Sequence, residues 1–142
     1  MEESTTQKLM QILRSTANID FFLKEIEPMS LEMSLADYID FLLKEKQITK
    51  NKILQKSLVD QNYAYQIMNG RKQNPARDIL IRIAFAFPLT VKETQLLLYL
   101  GNASKLYVKD KRDSIILYAL ENNLGFEFAN DSIIKNNCVP LI

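Results

Sequence analysis

Apolar residues in this chain recur at intervals of three and four, the period of an α-helix, and stretches that alternate with a period of two are scarce. A first helical pattern over residues 5–27 carries Leu9, Ile12, Leu13, Ile19, Leu23 and Ile26; Asn18 and Asp20 can divide it, and Pro28 closes it. A second places Tyr38, Ile39, Leu42 and Leu43 on one stripe, with Ser34 and Asp37 at the spacing of a capping box. Thr49 caps a short helix to Ser57. Asp60 caps another from Gln61 to Asn69, and Gly70 supplies its left-handed stop. Asn74 and Pro75 read as the N-cap and first-turn proline of a helix through Phe87, which Pro88 ends. Thr90 and Glu93 form a second capping box, opening a helix that ends at Gly101. Asp110 starts a helix to about Asn122, with Ile115, Ile116, Ala119 and Leu120 on its apolar side. A last helix spans roughly Glu127 to Lys135, although Phe126 and Phe128 equally suit the start of an extended segment. The pattern predicts an all-α chain of seven or eight helices without repeats.

The stretch from Thr49 to Gly70 concentrates what chemistry the pattern suggests. Two short helices abut across a turn of two or three residues, and Arg71 and Lys72 follow the glycine. That is the signature of a helix-turn-helix, in which the second helix presents its first residues to the major groove. Asn and Gln side chains at such positions pair bidentately with adenine. Ala64, Ile67 and Met68 fall on the opposite, core-facing side. An ordinary amphipathic surface helix shows the same division. Tyr63 and Tyr65 lie about 200° apart on a helix and cannot share one buried face; Tyr63 is expected outside at the helix start and Tyr65 on a flank.

Charge sharpens the reading. The net charge is +1, but residues 1–43 hold three basic and eight acidic residues (net −5) and residues 44–82 hold nine and three (net +6). Residues 83–142 hold six of each. The basic block coincides with the helix pair, as the footprint of a phosphate-binding surface would; a solvated basic face reads the same way.

Composition removes most other chemistries. The chain of 142 residues fits one domain, and 47% hydrophobic residues suffice for a core. Histidine is absent, so no Ser-His or Cys-His nucleophile can be assembled and the commonest metal ligand is missing. Cys138 is the sole cysteine, which excludes an intramolecular disulfide and fits a reducing cytoplasm. The three glycines are isolated, so there is no phosphate-binding loop. The longest apolar runs, Ile83 to Leu89 and Leu96 to Leu100, fall far short of the ~20 residues that cross a bilayer. Neither an enzyme, a metal, a cofactor nor a membrane is expected.

Residues from about Leu35 to Leu100 resemble the lambda-repressor-like, or Xre, helix-turn-helix family. The order of five helices carries the resemblance, with Gly70 closing the third, basic residues after it, Pro75 before the fourth and the Thr90 cap on the fifth. It implies a five-helix domain over residues 34–101, an N-terminal helical extension over 1–30 and a C-terminal helical segment over 105–142 packed on it. It further implies that Thr49 and Lys50 meet phosphate and that Gln61, Asn62, Tyr63 and Gln66 face bases. Asn69, Arg71 and Lys72 would then contact the DNA backbone. The chain departs from the family at Leu54, where alanine is usual, at Leu58, where the turn normally has glycine, and by one extra residue between Gly70 and Pro75. Leu54 is expected to push the two helices apart unless the core adjusts. Leu58 is expected at positive φ, a cost of about 1–2 kcal/mol.

The whole chain also resembles a group of small Firmicutes helix-turn-helix proteins, through Tyr63 to Ile67, Arg77-Asp78, Leu106-Tyr107, Arg112-Asp113 and Pro140-Leu141. Some of that group accompany bacterial Ser/Thr kinases, which implies a protein partner beside an operator. Arg77-Asp78 and Arg112-Asp113 are expected as ion pairs locking the C-terminal helices onto the motif. The expectation is a cytoplasmic, sequence-specific transcription regulator of the repressor type that binds double-stranded DNA as a homodimer, since a palindrome needs two recognition helices about 34 Å apart. Its dimer surface would come from residues 1–30 or 105–142. The alternative is a protein-interaction adaptor on the same scaffold, favoured by Leu54, Leu58 and the acidic N-terminal stretch.

Overall fold

The computed structural model describes residues 33–142. The pattern over residues 5–27 and the extension over 1–30 lie outside the described residues. These contain seven helices and no strand: α1 (Leu35–Glu45), α2 (Lys50–Ser57), α3 (Gln61–Met68), α4 (Arg77–Ala86), α5 (Val91–Leu100), α6 (Lys111–Glu121) and α7 (Gly125–Lys135).

Local chemistry sets most boundaries. Ser34 and Thr90 form reciprocal capping boxes with Asp37 and Glu93, each satisfying amides the helix itself cannot. Thr49, Asp60 and Asp110 cap α2, α3 and α6 with single side-chain bonds. Six of the seven C-termini among the described residues follow one rule as well. Gln47, Leu58, Gly70, Asn102, Asn123 and Asn137 take positive φ just past α1, α2, α3, α5, α6 and α7. In four of them the next residue returns its N–H to the third-last helical carbonyl: Ile48 to Leu43, Ala103 to Leu98, Leu124 to Ala119 and Cys138 to Ile133. The helix through residues 125–135 includes Phe126 and Phe128, so the extended alternative is not taken.

One boundary differs from expectation. Asn74 and Pro75 do not open α4; its N-cap is Ala76, without a side-chain bond. The Asn74 side-chain oxygen is taken by the Asn102 side-chain amide, and the Ala76 N–H donates to the Tyr63 hydroxyl (3.2 Å). Tertiary bonds thus claim the atoms that would have begun the helix early.

α4 is the centre of the molecule. Leu80 to Phe87 are buried without interruption, the mark of a helix enclosed on all sides. α2, α5 and α7 pack against it, α1 packs on α3 and α5, and α6 pairs with α7. A single apolar cluster runs from Met33 to Leu141. Gly101 lets α5 end against α4, because a Cβ there would stand 2.5 Å from Leu80 Cδ1.

The two Arg-Asp dipeptides do form ion pairs, but crossed. Arg77 grips Asp113 (3.0 and 2.8 Å) and Arg112 grips Asp78 (2.9 and 2.8 Å), both bidentate. Adjacent helical residues point about 100° apart and cannot face each other, so each partner is found on the other helix. The arginines also gather loose carbonyls: Arg77 takes Ser104 and Lys105, and Arg112 takes Val139 and Pro140. Gln95, buried on α5, donates to the Leu106 carbonyl (3.0 Å) and accepts its N–H (2.8 Å), fixing the segment between α5 and α6. Asn130 accepts from Leu141 and Ile142 and ties down the C-terminus.

Burial pushes the Asp113 carboxyl up, but the Arg77 hydrogen bonds, the Tyr107 N–H and the charges of Arg77 and Arg112 outweigh it and hold it below the usual carboxylate range. An unfolded Asp titrates near ~3.9. The Asp113 contribution is therefore complete above about pH 4 and is lost as pH falls through the depressed folded value. Asp113→Asn is expected to cost about 1.5–3 kcal/mol at pH 7. It should also flatten the loss of stability below pH 4, both read from urea midpoints at pH 7 and pH 3.

Candidate nucleic-acid interface

α2 buries Ile53 and Ser57 and turns Lys50, Asn51, Lys52, Gln55 and Lys56 outward. It ends at Leu58 in the left-handed region (φ 58°), as the non-glycine turn predicts. Val59 plugs into the core (7% exposed), and Asp60 caps α3 through the Tyr63 N–H (3.2 Å). The connection is thus three residues long. Leu54 is half-buried against the core.

The turn is held by a residue that pattern reading did not single out. Arg82, buried on α4, donates from Nε to the Ser57 carbonyl (3.0 Å) and from a terminal nitrogen to the Leu58 carbonyl. These are carbonyls α2 cannot satisfy itself. Burial pulls the Arg82 guanidinium below its ordinary value, and Asp78 partly restores it. The group stays charged at neutral pH. The signal was present: one arginine within the apolar run Ile79 to Phe87 must have partners.

On α3 the buried residues are Ala64, Ile67 and Met68, with Tyr63 half-buried beside them. At 100° per residue, Gln61, Tyr65, Asn69, Asn62 and Gln66 occupy the remaining arc of about 140°. The four amides are exposed and Tyr65 is half-buried on a flank, as its position predicts. Among the described residues, Gln61, Asn62 and Gln66 engage no side-chain hydrogen bond. No charged residue lies on the arc.

Tyr63 does not stand outside. Its hydroxyl accepts the Ala76 N–H, its ring packs on the core, and the Lys72 ammonium lies 5.5 Å from the ring centroid. The reason is the loop that follows α3, whose amides need acceptors away from any helix. The Lys72 N–H donates to the Gln66 carbonyl (2.9 Å) and the Arg71 N–H to the Asn69 side chain (3.0 Å). Arg71 and Lys72 are therefore fixed to the end of α3, beside the amide arc. Asn69 spends its oxygen there, and its NH2 has no partner among the described residues. Thr49 accepts from the Lys52 N–H (3.2 Å) and keeps its hydroxyl proton as a donor.

The basic block divides by use. Lys44 pairs with Asp40 (2.9 Å), Lys46 with Glu93 (3.2 Å) and Arg77 with Asp113, while Arg82 serves carbonyls. Lys50, Lys52, Lys56, Arg71 and Lys72 are exposed, without a carboxylate partner among the described residues. Every one belongs to α2 or the loop after α3. Among the described residues no group of three or more His, Cys, Asp or Glu side chains is placed to hold a metal, and no helix is long and apolar enough to cross a membrane.

Leu58→Gly is expected to raise stability by about 0.5–1 kcal/mol in urea unfolding, since relief of the left-handed strain exceeds glycine's extra chain entropy. Arg82 bonds the backbone carbonyl at position 58, so that anchor survives the change. Tyr63→Phe removes the acceptor of the Ala76 N–H. Hydrogen exchange at Ala76 should quicken by about two- to tenfold, the ~0.5–1.5 kcal/mol net worth of a hydrogen bond that water can replace, while amides inside α4 keep their protection.

No protein-family model, no curated protein and no solved structure matches this chain.

Proposed function

We propose that this chain is a helix-turn-helix protein of the lambda-repressor-like type, which binds double-stranded DNA through α3 and regulates transcription as a non-enzymatic, dimeric cytoplasmic protein. One observation carries the reading: an uncharged amide face on α3 is bordered by cations that have no carboxylate partner among the described residues. Base edges call for amides, and phosphates call for cations and backbone or hydroxyl donors. Gln61, Asn62 and Gln66 take the first role. Lys50, Arg71 and Lys72 take the second, with Thr49 and Asn69 as neutral donors. Tyr63 acts one step back, setting the position of Lys72 against the helix.

A second reading has its own support. The Leu58 side chain is 58% exposed although its backbone is strained. It borders a groove of about 570 Å³ with Gln55, Lys56, Phe85, Leu124 and Phe126. An adaptor that grips a protein, a bacterial Ser/Thr kinase among the options, would use that surface. A stoichiometric protein partner, with genomic DNA left unshifted, selects this second reading.

The DNA reading is tested by salt. Affinity for genomic fragments should fall steeply between about 50 and 200 mM salt. Arg71→Ala with Lys72→Ala should weaken all sequences alike and reduce the slope of log K against log salt by about two. Binding that is flat across that range would sink it.

A further inference from the structure

The α3 face also indicates which DNA it takes. Resting on the DNA-binding reading above, we infer that the chain selects sites with adenine at the contacted positions, read by Gln61, Asn62 and Gln66, and discriminates against guanine there.

The argument is one of donors and acceptors. In the major groove adenine shows an acceptor, N7, beside a donor, N6. A side-chain amide shows a donor beside an acceptor, so both of its bonds are made at once. Guanine shows two acceptors, N7 and O6. An amide placed there brings its own carbonyl oxygen against O6 and loses one bond to repulsion. Guanine is read by Arg or Lys, and the exposed arc of α3 has neither. The cations of the surface are placed on other segments. Lys50, Lys52 and Lys56 stand on α2, and Lys72 is drawn off the arc, held over the Tyr63 ring on its border. Nor is the arc fitted to cytosine, whose N4 donor is best met by a carboxylate. Asp60, the acidic residue nearest in sequence, spends a carboxylate oxygen on the Tyr63 N–H as helix cap. Tyr65, on the same arc, offers a ring to the thymine methyl paired with each adenine. The amides are available for this role: among the described residues Gln61, Asn62 and Gln66 are exposed and make no side-chain hydrogen bond, whereas Gln95, the buried glutamine, is bonded to both the N–H and the carbonyl of Leu106.

Selection of the full chain on a randomised duplex library, at one fixed salt concentration, tests the inference. The retained pool should carry adenine at two or three positions of each half-site. Replacing one such A·T pair with G·C should weaken binding by roughly 5- to 150-fold. Gln61→Ala and Asn62→Ala, both at exposed positions, should each abolish the preference at one position and leave the salt slope unchanged. A pool rich in guanine at those positions, or a preference unmoved by either substitution, overturns the inference and leaves DNA binding standing. Retention of no duplex at low salt overturns both.

Discussion

The helix pair depends on a charge buried in the middle of the core. α2 ends at buried Ser57 and exposed Leu58, whose carbonyls the helix itself leaves without partners. Arg82 reaches from the central helix and donates to both, on either side of the bond that turns the chain toward α3. A buried guanidinium is costly unless its donors are used. A left-handed leucine is costly unless its surroundings hold it there. Each makes the other tolerable: the carbonyls that the turn exposes are the partners the guanidinium needs. The angle at which α3 leaves α2 is therefore set from α4.

The same helix fastens the C-terminal part. Arg77 and Asp78 open α4, and their counterparts Arg112 and Asp113 open α6. Each arginine crosses to the other helix and also collects carbonyls of a segment without regular structure. The outcome is a cross-link with a fixed register, since two bidentate pairs are satisfied together at one relative position of the helices. α6 and α7 then complete the cover over α4. Anything gripping the groove between Leu58 and Leu124 would thus press on the elements that hold the α2–α3 turn.

Electrostatics explains why the proposed interface is smaller than the charge of the segment suggests. The excess of +6 over residues 44–82 is distributed between architecture and surface. Four cations are consumed by ion pairs or carbonyls, and five remain in solvent on α2 and the loop after α3. The loop is not loose: Tyr63, Gln66 and Asn69 each hold part of it to α3, so the backbone that carries its two cations is fixed.

What the sequence by itself determined is local. The caps at Ser34, Thr49, Asp60, Thr90 and Asp110 need only a side chain and an amide two or three residues away, so they were legible along the chain. The positive φ at Gly70 followed from a glycine closing a helix, that at Leu58 from the resemblance to a family whose turn has glycine there, and the amide face of α3 from its period. What only the tertiary structure decided involves partners distant in sequence. The crossed Arg-Asp pairs span 34 and 36 positions, the Arg82 clamp 24 and 25, and the Tyr63–Ala76 bond 13. The composition named these residues as polar groups in need of partners. Which partner each found depended on how the helices pack, and no periodicity encodes that. The late start of α4 and the inward turn of Tyr63 have the same cause: a long-range bond claimed an atom that a local rule had assigned elsewhere.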